Sequence, residues 1–240
     1  MSFTAQIDPS WREIVSYALE GLDPDYLHYL ERETSYFPDQ NAFLNAFKTL
    51  PLTRTRYILF GQDPYPRKES ALGYAFIDGK VERIFDENGL SKAVNRATSL
   101  RNFIKMLLVC EGKLHEDFSK EAVARVDTSA YIQTIHQLRE NFEKNGVLLL
   151  NMALVFSTKE ESKYHIRAWK GFVRRLLQRL APHDIELILF GNIAREVEKF
   201  DEAKQFKKHI LPHPYNISFI TDSGAHALFT KMRLLDQSIS

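Results

Sequence analysis

Four short apolar runs in this chain each end in a compact polar turn, and those turns hold residue types that can do chemistry. Tyr57–Phe60 leads into Gly61-Gln62-Asp63-Pro64-Tyr65, and Val147–Leu150 into Asn151-Met152. Ile185–Phe190 leads into Gly191-Asn192, and His209–Leu211 into Pro212-His213-Pro214-Tyr215-Asn216. A carboxylate can steady a cation or orient a water, a carboxamide can read donor and acceptor patterns, and an imidazole can trade protons near neutrality. Each residue also has a plainer explanation. Asp and Pro favour turns for local reasons, Asn caps elements, and His satisfies backbone groups. Ligands of an open parallel sheet bind beyond the carboxyl ends of its strands, so Asp63, Asn151 and His213 are expected to meet on one rim. His209 and His213 are four apart, but Pro212 between them argues against a metal-binding helix pair, and no metal or other cofactor is expected.

The elements that must position these turns follow from periodicity. The four runs are apolar on both faces, as buried parallel strands are. Helical spacing lies between them, over Ser91–Cys110, Thr128–Glu143, Ile166–Leu180 and Asn192–Phe200, with a last helix expected at Ala225–Asp236. Upstream, Trp11–Leu22, Pro24–Phe37 and Asn41–Leu50 also show three- and four-residue spacing, and Asp23 before Pro24 is a helix-start signal. Gly112–Asp127 and Ile77–Asn88 are polar or irregular and read as surface excursions. The pattern predicts an α/β three-layer sandwich, a central four-stranded parallel sheet flanked by helices. A single domain over residues 1–240 is expected, with the helices of residues 1–50 packed on it.

Composition excludes some classes and leaves others open. Apolar residues make up 44% and charged residues 26%, an ordinary globular balance. Neither a membrane-length apolar run nor a secretory leader is read, so a cytoplasmic protein is expected. One cysteine, Cys110, excludes an internal disulfide and an all-cysteine iron–sulfur cluster. With 32 Lys+Arg against 31 Asp+Glu, bulk charge decides nothing about nucleic acid, because a basic face can sit on a neutral body.

Taken together, the motifs resemble the uracil-DNA glycosylase family. Gly61-Gln62-Asp63-Pro64-Tyr65 is similar to its water-activating motif, and Gly73-Tyr74-Ala75-Phe76 to its segment with a uracil-stacking Phe. Gly146–Asn151 resembles its uracil-reading strand, Leu189-Phe190-Gly191 its third strand, and Pro212-His213-Pro214 with Ile217 its catalytic-His and wedge loop. The likeness runs in order from about Tyr57 onward; the N-terminal helices add nothing specific. It implies excision of flipped-out uracil from DNA, single- or double-stranded, by an enzyme expected to be monomeric, with any protein inhibitor or replication partner left open.

In the roles the resemblance implies, Asp63 stabilises the sugar cation and orients water, and His213 hydrogen-bonds uracil O2, with the Gln62 N–H as a second donor. Asn151 reads N3–H and O4, Phe76 stacks on the ring, and Tyr65 excludes a C5 methyl. Ile217 would fill the gap left by the base, with Pro66, Ser99, Pro214, Tyr215 and Ser218 on the DNA-gripping loops. Arg67 and Lys68 are further phosphate candidates, although solvated surface charge is their commoner role. Four places depart from the family: Ile217 stands where leucine is usual, Pro66 where His closes the motif, Pro214-Tyr215-Asn216 where Pro-Ser-Pro is usual, and Ala97-Thr98-Ser99 where a proline-rich loop is usual. A DNA-binding accessory protein of the same descent, or a glycosylase of other base preference, are the alternatives.

Overall fold

A computed structural model describes residues 3–237. Among the described residues the strands are β1 (Tyr57–Gly61), β2 (Phe85–Asp86), β3 (Gly89–Leu90), β4 (Val147–Asn151), β5 (Glu186–Phe190) and β6 (Lys208–Leu211). The helices are α1 (Arg12–Leu19), α2 (Pro24–Arg32), α3 (Lys92–Arg96), α4 (Thr98–Cys110) and α5 (Lys120–Ala124). They continue with α6 (Ile135–Lys144), α7 (Ser162–Ala168), α8 (Lys170–Leu180), α9 (Asn192–Val197) and α10 (Ser223–Phe229). The chain forms two compact units, one of Met1–Asp78 with Gly146–His209 and one of Gly79–Asn145 with Ile210–Ser240.

The first unit is organised by a four-stranded parallel sheet flanked by helices, in the order β4-β1-β5-β6, and β6 carries the chain onward out of it. β1 pairs in parallel with β4, Tyr57 opposite Val147 through Gly61 opposite Asn151, and in parallel with β5 from Tyr57–Glu186 to Phe60–Leu189. Every residue of β4 is buried, as are Ile58, Leu59 and Phe60 of β1, which is why those runs are apolar on both faces. Asp23 caps α2, its carboxylate accepting from the Asp25 N–H at 2.9 Å, with Pro24 as the first helical residue. Helix α8 packs against α1 and the turn that follows it, where a Cβ on Gly171 would lie 1.9 Å from the carbonyl oxygen of Gly21.

Asn41–Leu50 departs from its helical reading. It is a series of turns closing in a 3₁₀ turn at Asn45–Phe47, with Phe43, Leu44 and Phe47 buried. The Asn45 amide explains the departure, because it donates to the Leu72 carbonyl at 2.9 Å and so ties the segment to a loop rather than to its own helix. Ser162 opens a helical stretch that begins four residues before the expected Ile166 and is interrupted at Trp169.

The second unit centres on α4, whose inner face buries Leu100, Phe103, Ile104, Met106, Leu107 and Leu108. The Phe103 ring lies 5.8 Å from that of Phe142, 5.9 Å from Phe219 and 5.1 Å from Phe229. The helix expected over Ser91–Cys110 breaks into α3 and α4 at Ala97 (φ −90°, ψ 83°). The one expected from Thr128 starts only after Thr134, where a capping box with Gln137 sets its first turn. Irregular Gly112–Asp127 contains the short α5, whereas Ile77–Asn88 is not a surface excursion: it contains β2, which pairs antiparallel with β3, and it buries Ile77, Val81, Ile84 and Phe85. No described helix is long and apolar enough to cross a membrane.

The glycine contact yields a stability prediction. Gly171→Ala forces α1 and α8 apart and should lower the unfolding free energy by about 1–3 kcal/mol, read by urea denaturation. Unchanged stability would mean that the two helices separate without penalty.

Candidate active site

In the first unit the site grows from the end of β1. Gly61 is the last residue of β1 and lies opposite Asn151, the last residue of β4. A Cβ on Gly61 would stand 2.2 Å from Asn151 Oδ1 and 3.0 Å from Ala75 Cβ, so only glycine lets the amide cross that backbone. Asn151 is buried at 6% exposure, and a buried carboxamide held in one orientation selects its hydrogen-bonding partner. Beyond β1 the turn is held by main chain: Met152 N–H donates to the Gly61 carbonyl and Ala153 N–H to that of Gln62, both at 2.9 Å. Pro64 and Pro66 stiffen the turn on either side of Tyr65. Asp63 is half-buried within it, and its Oδ2 accepts a hydrogen bond of 2.8 Å from the Ser162 hydroxyl.

Phe76 is brought to the same strand end by a strained loop. Ala75 N–H donates to the Leu149 carbonyl of β4 at 3.1 Å. Gly73, at φ +82°, passes so close to Ala42 that a Cβ would meet its carbonyl oxygen at 2.0 Å. Phe76 itself takes φ +68°, a left-handed conformation that costs a non-glycine residue about 1–3 kcal/mol and that gathers at functional sites. Its ring lies 6.1 Å from that of Phe190 at the end of β5. The Tyr65 hydroxyl donates to the Phe76 carbonyl at 3.4 Å, a long contact, and burial raises its pKa so that the phenol stays protonated. Exposed Gln62, Pro66, Arg67 and Lys68 border this turn.

The remaining predicted residues lie in the second unit, Ser99 on α4 and the others two residues and more beyond β6. The backbone N–H of Tyr215 donates to Nδ1 of His213 at 3.0 Å. Nδ1 is therefore an acceptor, and a neutral His213 carries its proton on Nε2. Desolvation by the surrounding protein lowers the His213 pKa below the ordinary imidazole value, so the neutral form prevails at pH 7. The loop is fastened to α4 by Asn102, 3% exposed, whose amide donates to the carbonyls of Pro214 (2.8 Å) and Tyr215 (3.3 Å). Ile217 opens a 3₁₀ turn and is 75% exposed, Tyr215 is 66% exposed, and Ser218 is exposed beside them. Phe219 seats that turn against Phe103. Ser99 sits in the first turn of α4, and Pro214 is buried.

The structure thus gathers Asp63, Tyr65, Phe76 and Asn151 around the end of β1 in one unit, and His213 through Ser218 on one fastened loop in the other. Sequence reasoning missed Ser162 and Asn102. The first carries no motif; the second is a polar residue on the buried face of an apolar helix, which is a readable signal.

No protein-family model matches the chain. It is 26% identical over 227 residues to a uracil-DNA glycosylase of Fusobacterium nucleatum subsp. nucleatum, spanning 89% of this chain and 84% of that one. Among solved structures it is similar to the wild-type UNG of Nitratifractor salsuginis, at 50% identity and TM-score 0.95 over 97% of this chain and 94% of that one. The mimivirus uracil-DNA glycosylase, 18% identical with TM-score 0.58 over 89% and 71% of the two chains, shares the fold. These comparisons put the chain among the hydrolases of N-glycosyl bonds. It belongs to the uracil-DNA glycosylase family.

Gly61→Ala should displace the Asn151 amide from its crossing and lower stability by about 1–3 kcal/mol. A crystal structure of the variant checks this, and an unmoved Asn151 side chain would show that the glycine is dispensable.

Proposed function

We propose that this protein hydrolyses the bond between C1′ of deoxyribose and N1 of uracil in DNA, releasing uracil and leaving an abasic site. As the bond breaks, its electron pair moves onto the base, with charge gathering at O2, and positive charge develops on the sugar. Asp63 faces the sugar cation and orients the water that adds to C1′. The Nε2–H of His213 donates to O2, and the Gln62 N–H is the second donor there. The observation that carries this reading is the Tyr215 N–H to His213 Nδ1 hydrogen bond, because it leaves the donor proton of a neutral ring on Nε2.

Asn151 accepts from uracil N3–H and donates to O4. Cytosine offers a bare N3 and an amino group instead, and each mismatched buried pair costs about 1–3 kcal/mol. Phe76 stacks on the ring, and Tyr65 stands at its C5 edge against thymine's methyl group. Glycosylases take their target base out of the stack, and Ile217 is the apolar wedge that fills the space. Ser99, Ser218 and the residues around Pro66, Pro214 and Tyr215 grip the sugar-phosphate backbone.

The test is uracil release from single- and double-stranded oligonucleotides; release from neither would sink the proposal. Asp63→Asn should lose roughly 10²–10³-fold or more in rate while binding DNA about as well as the parent. Asn151→Asp should lose uracil excision, and full activity in that variant would refute its role.

The His213 shift gives a pH dependence. Its pKa is depressed, so the ring is neutral above that value and the rate should be flat from pH 7 to 8. Below it, a proton arriving on Nδ1 opposes the Tyr215 N–H, and the rate should fall. The residual activity of His213→Gln should lack that acid limb in a pH–rate profile.

A further inference from the structure

The Ser162 hydroxyl donates to Asp63 Oδ2 at 2.8 Å across 99 residues of sequence, and Oδ1 takes no hydrogen bond from the described residues. A carboxylate on a short turn rotates easily, because its last torsion is broad and two-fold. A donor anchored on one oxygen sets the plane of the group and leaves the other oxygen to meet the reacting atoms.

The anchor is itself held from the core. Trp169 Nε1 can only donate, and it donates to the Tyr26 oxygen at 3.1 Å. With the neutral imidazole carrying its proton on Nε2, the Tyr26 hydroxyl donates to His165 Nδ1, 2.6 Å away. The imidazole keeps its proton on Nε2 and donates to Ser157 Oγ at 2.8 Å, and Ser157 donates to the Glu161 carboxylate. Tyr26, His165 and Trp169 are buried, and desolvation favours the neutral imidazole that this one-way chain requires. Glu161 is the residue immediately before Ser162, and its carbonyl accepts from the backbone N–H groups of Tyr164 and His165. The start of α7 is thus tied to the core within the same unit that holds Asp63.

We propose that Ser162 is the positioning residue for the Asp63 carboxylate, its hydroxyl orienting the group for attack at C1′. This rests on the reading of Asp63 as the carboxylate that faces the sugar. The hydroxyl makes no contact with substrate in this role, so its loss changes turnover rather than binding.

Ser162→Ala, Ser162→Thr, Asp63→Asn and the double variant Ser162→Ala/Asp63→Asn are compared with the parent on a uracil-containing oligonucleotide. Expected for Ser162→Ala is a fall in kcat of about 10- to 100-fold, with KM within about twofold of the parent. Ser162→Thr keeps the hydroxyl and should recover most of the loss. In the Asp63→Asn background, removing the hydroxyl should cost nothing further, a non-additivity that a merely structural serine would not show. Should Ser162→Ala fail to fold, Ser162→Cys takes its place in the same comparisons.

A parent-like kcat in Ser162→Ala, with Asp63→Asn inactive, overturns the proposal and leaves the role of Asp63 standing. A raised KM at unchanged kcat also overturns it, since the hydroxyl would then grip the substrate. An active Asp63→Asn defeats the reading of Asp63, and this proposal falls with it.

Discussion

The Asn151 amide crosses the Cα of Gly61 where no methyl group fits, and much of the first unit's site is built on that crossing. It demands that β1 and β4 lie in parallel with Gly61 opposite Asn151, and that register is seen. A shift of one residue would turn every side chain of β4 to the other face. Ala75, the next atom a Cβ on Gly61 would meet, is itself tied to β4 through Leu149, and it brings Phe76 to the strand end behind it. Backbone proximity, rather than any strong single bond, sets the spacing between the amide and the aromatic ring.

Much of this was legible in the chain. All four sheet strands lie where the apolar runs put them, with boundaries shifted by one residue where Gly61, Asn151 and Lys208 join the ladder. But β6 is not buried on both faces as expected: it is an edge strand, and Ile210 is 54% exposed. Helices were harder. Asn41–Leu50 has helical spacing, but a side-chain amide spent on Leu72 and five buried apolar residues hold it in turns, a tertiary effect that periodicity does not record. The delayed start of α6 was readable, because Thr134-x-x-Gln137 is a capping box written in the sequence. Ser162 and the His213 tautomer were not readable, since each depends on one hydrogen bond whose geometry belongs to the folded backbone.

The departures from the family pattern take on a different weight beside the loop's construction. Around His213 the fastening runs through main-chain atoms: the Tyr215 N–H, and the carbonyls of Pro214 and Tyr215 that receive the Asn102 amide. None of these contacts uses the side chain of Tyr215, which points outward at 66% exposure. Replacing the usual serine there changes the surface offered to a ligand and leaves the frame that sets the imidazole untouched.

The chain passes from one compact unit to the other at residues 78–79, 145–146 and 209–210. Each unit is therefore stitched from two separated stretches, and no single cut excises either one. A ribosome has emitted the middle stretch of the second unit long before the tail from Ile210 that completes it. During that interval α4 lacks Phe219 and Phe229, the aromatic neighbours that cover Phe103 in the finished protein. An exposed apolar helix face of that kind is prone to association while synthesis lasts. The late arrival of some thirty residues is thus a point of vulnerability in biogenesis, fixed by the order in which the polypeptide is threaded.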